Sequence, residues 1–259
     1  MAYRSLSQLE QFAQCSWAYK LARIDKVPQR QAAWFGHGIA VHTGCEHHER
    51  SGRSDSGVDI AVAEYDQHIA AARDAEPQLH RWMRGGRQTT ESDIAKRRDL
   101  VAEQVAWYEQ WAPQQEWEIW TLPDGQPALE VPFKITLGIN TVAGVIDQIL
   151  YWPELDVHST RDLKTGRKVK SNRQNGVYRV AVAETFGLEA TYGDYLMLRD
   201  GRSAGMADLS YYTRETITQL FSALNAGIDN DVYIPNLGDH CRVCTVQTHC
   251  AEYQAQQQK

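Results

Sequence analysis

The chain has 259 residues, 42% apolar and 23% charged, the proportions of an ordinary soluble protein able to bury one large core or two small ones. Its net charge of −6 excludes a uniformly basic nucleic-acid coat. It contains no apolar run of the roughly 18 residues needed to cross a bilayer, and the start Met1-Ala-Tyr-Arg-Ser-Leu-Ser lacks a signal-peptide core, so a cytoplasmic protein with no membrane partner is expected.

Ser5-Leu-Ser7-Gln-Leu-Glu opens a helix that Ser5 or Ser7 can cap, with Leu9, Phe12, Trp17 and Leu21 as an approximate apolar face and Cys15 riding on it. After a loop containing Pro28, residues 34–49 read as a second helix, entered through Gly36-His37-Gly38 and carrying His42. Cys45 on that helix reads as a small core residue. Stretches 58–72 and 93–111 look helical. The polar separator holds Pro77, Gly85 and Gly86, and its Arg81, Arg84 and Arg87 with Trp82 suit either an arch over a nucleic-acid strand or a plain surface loop.

Beyond Pro113 the period changes from helical to alternating. A strand is expected over 116–122. Val131, Phe133, Ile135 and Leu137 alternate along another, and Gly138-Ile-Asn140 turns into a return strand through Ile146 to Tyr151 that carries Asp147. Pro153-Glu-Leu-Asp156 leads to a strand ending at Lys164, on which Asp162 and Lys164 share one face. A helix over 174–186 closed by Gly187, strands near 190–198 and 206–213, and a last helix to about residue 226 complete the reading. It is a single α/β domain over 1–259, with a mainly helical part (1–113), a core (114–226) and a cysteine-bearing segment (227–259).

Two carboxylates, a lysine and an imidazole in this order suggest metal-dependent phosphodiester hydrolysis. Asp147 and Asp162 supply oxygens suited to Mg2+ or Mn2+, the Leu163 carbonyl is a third candidate donor, and Lys164 is placed to orient water or neutralise phosphate. From Arg161 to Arg179 there are seven basic residues against one acid, Asp162. Arg167, Lys168, Lys170 and Arg173 in that run are the candidate phosphate contacts, a solvated loop being the plainer reading. Cys241-x2-Cys244-x5-Cys250 with Cys15 makes four thiolates, a complete set for an iron-sulfur cluster or a structural zinc, and either would staple the chain's ends together.

Together these residues resemble the RecB-like nucleases of the PD-(D/E)xK superfamily, in the iron-sulfur branch that includes the CRISPR-associated adaptation exonuclease and related phage proteins. The matching positions are Ser5-x-Ser7-x-Leu9-x-x-Phe12-x-x-Cys15, His42, Gly144-x-x-Asp147, Asp162-x-Lys164-Thr165-Gly166, Gln174-x3-Tyr178 and Cys241-x2-Cys244-x5-Cys250. The resemblance implies a PD-(D/E)xK core, a mixed central sheet flanked by helices, with its terminal segments joined by a 4Fe-4S cluster on Cys15, Cys241, Cys244 and Cys250. It also implies metal ligands His42, Asp147 and Asp162, catalytic Lys164, and Gln174 and Tyr178 beside the scissile strand.

The implied activity is a metal-dependent deoxyribonuclease, an exonuclease on single-stranded DNA, acting alone, as a homo-oligomer or within a recombination, repair or CRISPR-type complex. Two alternatives stand beside it. One is a catalytically weak DNA-binding or assembly subunit, against which the intact Asp147, Asp162 and Lys164 argue. The other is an RNA-directed nuclease or a single-strand-binding partner of a helicase-nuclease machine, and no Gly-x4-Gly-Lys-Ser/Thr loop supplies an ATP motor here.

Overall fold

Local capping decides where the first helices begin and break. The computed structural model describes residues 2–166, 168, 169 and 171–257. After strand β1 (Ala2–Arg4), Ser5 caps helix α1 (Leu6–Gln14): its hydroxyl accepts the Gln8 N–H while the Gln8 side chain accepts the Ser5 N–H. That reciprocal pair satisfies two donors the helix would otherwise leave orphaned. Cys15 does not ride on this helix as expected. Its extended backbone ends α1, and its sulfur, accepting the Ala18 N–H at 3.4 Å, caps a new short helix α2 (Ser16–Tyr19) that runs into a π-turn at Lys20–Ile24.

Helices α3 (Phe35–Arg50), α4 (Val58–Ala75) and α5 (Thr90–Trp111) form close to their expected bounds and pack on one another. The α3–α4 approach is backbone on backbone. A Cβ on Gly57 would fall 2.0 Å from the Gly44 carbonyl oxygen, so no other residue fits. Of the two readings of the segment between α4 and α5, an arch over a strand or a plain surface loop, Trp82 does not fit the first. The indole is 1% exposed and donates to the Glu76 carbonyl at 2.8 Å, which makes it a core anchor with no face for a base.

The remaining elements are β2 (Glu118–Ile119), β3 (Leu129–Leu137), β4 (Asn140–Trp152), β5 (Val157–Lys164), α6 (Arg173–Phe186), β6 (Tyr192–Met197), β7 (Arg202–Ser203), β8 (Ala207–Asp208), α7 (Arg214–Asp229) and α8 (Ala251–Gln257). Gly187, at φ +64°, closes α6 in the left-handed conformation. Two expected strands shrink. Residues 116–122 yield only β2, and 206–213 only β8, because the Tyr212 N–H bonds back to the Leu209 carbonyl and turns the chain away from the sheet.

Among the described residues the eight strands join one mixed sheet, with β4 at its centre. β3 lies antiparallel along one side of β4; on the other side β1 pairs with residues 140–142 and β5 with residues 148–152. β6 follows parallel to β5. One face buries Val131, Phe133, Ile135, Val142 and Ile146 against α1, α6 and α7. The other face buries Leu150, Leu163 and Leu196 against α3, α4 and α5. Within the second layer Arg161 and Asp194 form a fully buried bidentate pair at 2.9 Å, and the guanidinium lies 4.6 Å from the Trp117 ring centre. Arg161 therefore belongs to the core and not to the exposed part of the basic run.

Candidate functional site

The sheet forks at one point, and the polar residues collect there. Pairing between β4 and β5 stops at Gln148 opposite Arg161, so Asp147 and Asp162, which would form the next rung, stand in the opening. On its other side Asp147 meets a rung missing between the Leu129–Gln148 and Val131–Ile146 pairs, the place of Glu130. Glu130 has φ +45°, a left-handed conformation that costs a non-glycine residue about 1 kcal/mol or more.

His42 projects from α3 onto this fork. Its Nε2–H donates to the Leu163 carbonyl at 3.0 Å, and its Nδ1 lies 3.2 Å from Glu130 Oε1 and 3.5 Å from Asp147 Oδ2. Asp147 Oδ2 also accepts the Leu163 N–H at 2.8 Å. Among the described residues, only His42, Glu130 and Asp147 bring three ligand-type atoms within 4.8 Å of one another. One nitrogen and two carboxylates at that spacing suit a divalent cation.

From the opposite face α6 reaches the same fork. The Lys164 ammonium stands 2.6 Å from Asp162 Oδ2 and donates to Gln174 Oε1 at 2.8 Å; Gln174 Nε2 donates to the Tyr178 hydroxyl at 2.8 Å. The Tyr178 hydroxyl in turn approaches Asp147 Oδ1 at 3.5 Å and Asp162 Oδ1 at 3.4 Å. Gln174 and Tyr178, one helical turn apart, thus tie the lysine to both aspartates. Tyr178 itself is buried, so its ring offers no stacking surface.

Crowded carboxylates in a part-buried fork shift one another's protonation. Burial and the neighbouring Asp147 charge push Asp162 up to about 7, against the opposing pull of Lys164. Burial raises Asp147 too, partly offset by His42. For His42 burial disfavours the charge, but Asp147 and Glu130 overcome it and push the imidazole up to about 9.

The structure brings together all five residues of the expected catalytic set (Asp147, Asp162, Lys164, Gln174, Tyr178), together with His42 and the Leu163 carbonyl. It adds Glu130, which the sequence reading passed over, and it groups Glu130 more tightly with His42 and Asp147 than Asp162, which turns to Lys164. The expected phosphate contacts fare unevenly. Lys168 is exposed, Arg173 is held by Glu10 at 2.8 Å, and Arg167 and Lys170 lie outside the described residues. Arg179 is spent on the carbonyls of Leu209, Ser210 and Tyr212.

Cys15, Cys241, Cys244 and Cys250 line one cavity of about 260 Å³, walled by Trp17, Leu21 and Val246. The fifth cysteine, Cys45, is buried in the helical core. Cys15 Sγ accepts backbone N–H groups from Ala18 and Asn236, each at 3.4 Å. No three of the cavity's sulfurs lie within 4.8 Å of one another.

A family model described as the PD-(D/E)XK nuclease superfamily matches residues 4–251. The chain belongs to the PD-(D/E)XK nuclease superfamily. Members of this superfamily are metal-dependent phosphodiester hydrolases, and the forked carboxylates with Lys164 alongside are the part of this PD-(D/E)XK chain where that chemistry fits. The chain is similar to the Gene 69 protein of Mycobacterium phage D29, 37% identical over 260 residues covering 95% of this chain and 96% of the relative. It is also similar to the Gene 69 protein of Mycobacterium phage L5, 36% identical over 279 residues and 95% of each chain.

Proposed function

We propose that this protein is a divalent-metal-dependent deoxyribonuclease that degrades single-stranded DNA from an end. The observation that carries the reading is the convergence of His42, Glu130 and Asp147 within 4.8 Å at the sheet fork, with Lys164 beside it. His42, Glu130 and Asp147 would hold Mg2+ or Mn2+, with Asp162 and the Leu163 carbonyl as further oxygen donors. A cation there supplies Lewis-acid polarisation of the phosphoryl group and a more acidic water.

The chain's own groups do the rest. Lys164 places a fixed positive charge where the phosphoryl oxygens gain negative charge, and Gln174 keeps that amine from swinging away. Tyr178 holds the two aspartates at one separation. Hydrolysis adds water across a P–O bond: the water oxygen joins phosphorus, the ester oxygen leaves, and that oxygen takes up a proton. Exposed Lys168 stands directly after this site and contributes phosphate attraction despite the acidic average.

The four-cysteine cavity is proposed to hold a structural 4Fe-4S cluster, which would place the chain in the iron-sulfur branch of the RecB-like enzymes. Burial and the other three cysteines push the Cys244 thiol up, so four thiolates here need a compensating cation. The backbone N–H groups aimed at Cys15 Sγ suit a cluster-bound sulfur.

Digestion of single strands labelled at the 5′ or the 3′ end, with Mg2+, Mn2+ or EDTA, tests the reading. Stepwise metal-dependent shortening is expected. Cleavage that persists in EDTA, or internal nicking alone, contradicts it.

A further inference from the structure

The first half of the β3–β4 hairpin shows an uncovered face that ends on the metal site. Antiparallel partners place Pro132 beside Val145, Lys134 beside Ala143 and Thr136 beside Thr141, all on the face that carries Glu130 and Asp147. β1 extends it, with Tyr3 in register with Thr141. Helices α3, α4 and α5 cover this side of the sheet only farther along, over Leu150, Leu163 and Leu196. Pro132, Lys134 and Thr136 are exposed, Val145 is 42% exposed and Tyr3 60% exposed.

The fork widens this surface. Along β4, residues 143–147 lie between the end of β1 pairing at Val142 and the start of β5 pairing at Gln148, with no strand on that side among the described residues. Above the fork, Ile39 and Phe35 lie on the face of α3 that carries His42, one and two turns toward its N-terminus respectively, and both are exposed. A solvated antiparallel face is ordinarily polar, yet this one offers Tyr3, Val145 and Pro132. Beyond Glu130 its registered pairs hold one cation, Lys134, and no carboxylate, in a chain of net charge −6.

We propose that a single strand of DNA crosses this face to reach the metal, its bases resting on Tyr3 and Val145 and its phosphates drawn by Lys134. The assignment rests on the nuclease reading above and adds the substrate's path to it. Two features point to nucleic acid as the occupant. The face runs without a break into the candidate metal ligands, which sets its first rung beside any phosphate held there. The aromatic and apolar side chains with a lone amine match the sequence-tolerant stacking and backbone attraction that single strands need. At about 3.4 Å per residue, the distance from Asp147 to Thr141 is roughly 20 Å, room for several nucleotides.

The test uses the full-length protein with its metals, poly(dT) as substrate, and the variants Tyr3→Ala and Lys134→Glu, with melting curves to confirm that both fold. Each variant is expected to raise KM about tenfold, the scale of losing one stacked base, while kcat stays within about twofold. Lys134→Glu is also expected to flatten the slope of log Kd against log salt by at least about 0.7. If the parent digests poly(dT) and both variants keep its KM and salt slope, the path is wrong and the nuclease reading stands. If the parent neither binds nor digests poly(dT), the nuclease reading fails and the path falls with it. A changed molecular mass in light scattering with KM unaltered would assign the face to contact between copies of this chain and overturn the proposal.

Discussion

Lys164 donates its ammonium hydrogen to Gln174 Oε1 at 2.8 Å, from the end of β5 to the first turn of α6. A flexible four-carbon side chain is thereby held at one place beside Asp162. Lys164→Ala is expected to lower single-turnover cleavage by roughly 10²-fold or more, the scale of one lost electrostatic stabiliser. Gln174→Ala, which frees the amine without removing it, should cost about tenfold by the same reasoning. Mn2+ affinity measured by calorimetry should be kept in both. Equal losses in the two variants would mean that Gln174 does more than position the lysine.

Glu130 is the test of the metal site's composition. Its carboxylate lies 3.2 Å from His42 Nδ1, on a backbone held in an unfavourable conformation. Glu130→Gln keeps the shape and removes the charge. Mn2+ affinity is expected to fall roughly 10–100-fold. Unaltered affinity would leave Glu130 as a partner of His42 alone.

The fold's core and the hairpin that carries Asp147 were legible in the sequence, and Glu130 was not, for one physical reason. Alternation of Val131, Phe133, Ile135 and Leu137 announces β3, and in that pattern Glu130 reads as an ordinary outward residue. Only the hairpin register, which sets residue 130 opposite 147, reveals that it faces Asp147. A hairpin turning at residues 138–139 contains that information once both strands are aligned. The basic run was legible only as charge, which says nothing about burial: Arg161 is sealed against Asp194 and Arg173 is paired with Glu10, while Lys168 is exposed. Cys15 was misplaced because its extended backbone and sulfur cap break a helix that periodicity carries straight through.

Proton linkage gives the metal site a pH signature. The folded chain holds a proton on Asp162 up to about pH 7 and on His42 up to about pH 9, whereas unfolded groups release theirs near 4 and 6.5. The folded state therefore binds more protons than the unfolded one across this window, and the stability of the metal-free protein falls as pH rises through it. A cation must displace those protons. The increase in Tm caused by Mn2+ over EDTA is expected to be larger at pH 9 than at pH 6. An increase that does not vary with pH would show that these groups are not ligands.

Loss of the cysteine staple should be felt as stability. A crosslink from Cys15 to Cys250 closes a loop of more than two hundred residues, and such closures stabilise by roughly 5 kcal/mol or slightly more on chain-entropy grounds. Cys250→Ala is expected to lose the iron of the proposed cluster, to melt well below the parent and to become less soluble. Elemental analysis of the parent settles the metal: iron near four per chain agrees with the proposed 4Fe-4S group, and stoichiometric zinc without iron contradicts it.

The central claim is that the forked carboxylates hydrolyse DNA. The most direct measurement is digestion of end-labelled single-stranded DNA by the parent and by Asp162→Ala, each with Mg2+ and with Mn2+. The parent should shorten the strand only when metal is present, and the variant, deprived of the carboxylate 2.6 Å from Lys164, should leave it intact while keeping the parent's fold and iron content. Equal digestion by both proteins, or none by the parent with either metal, would contradict the account.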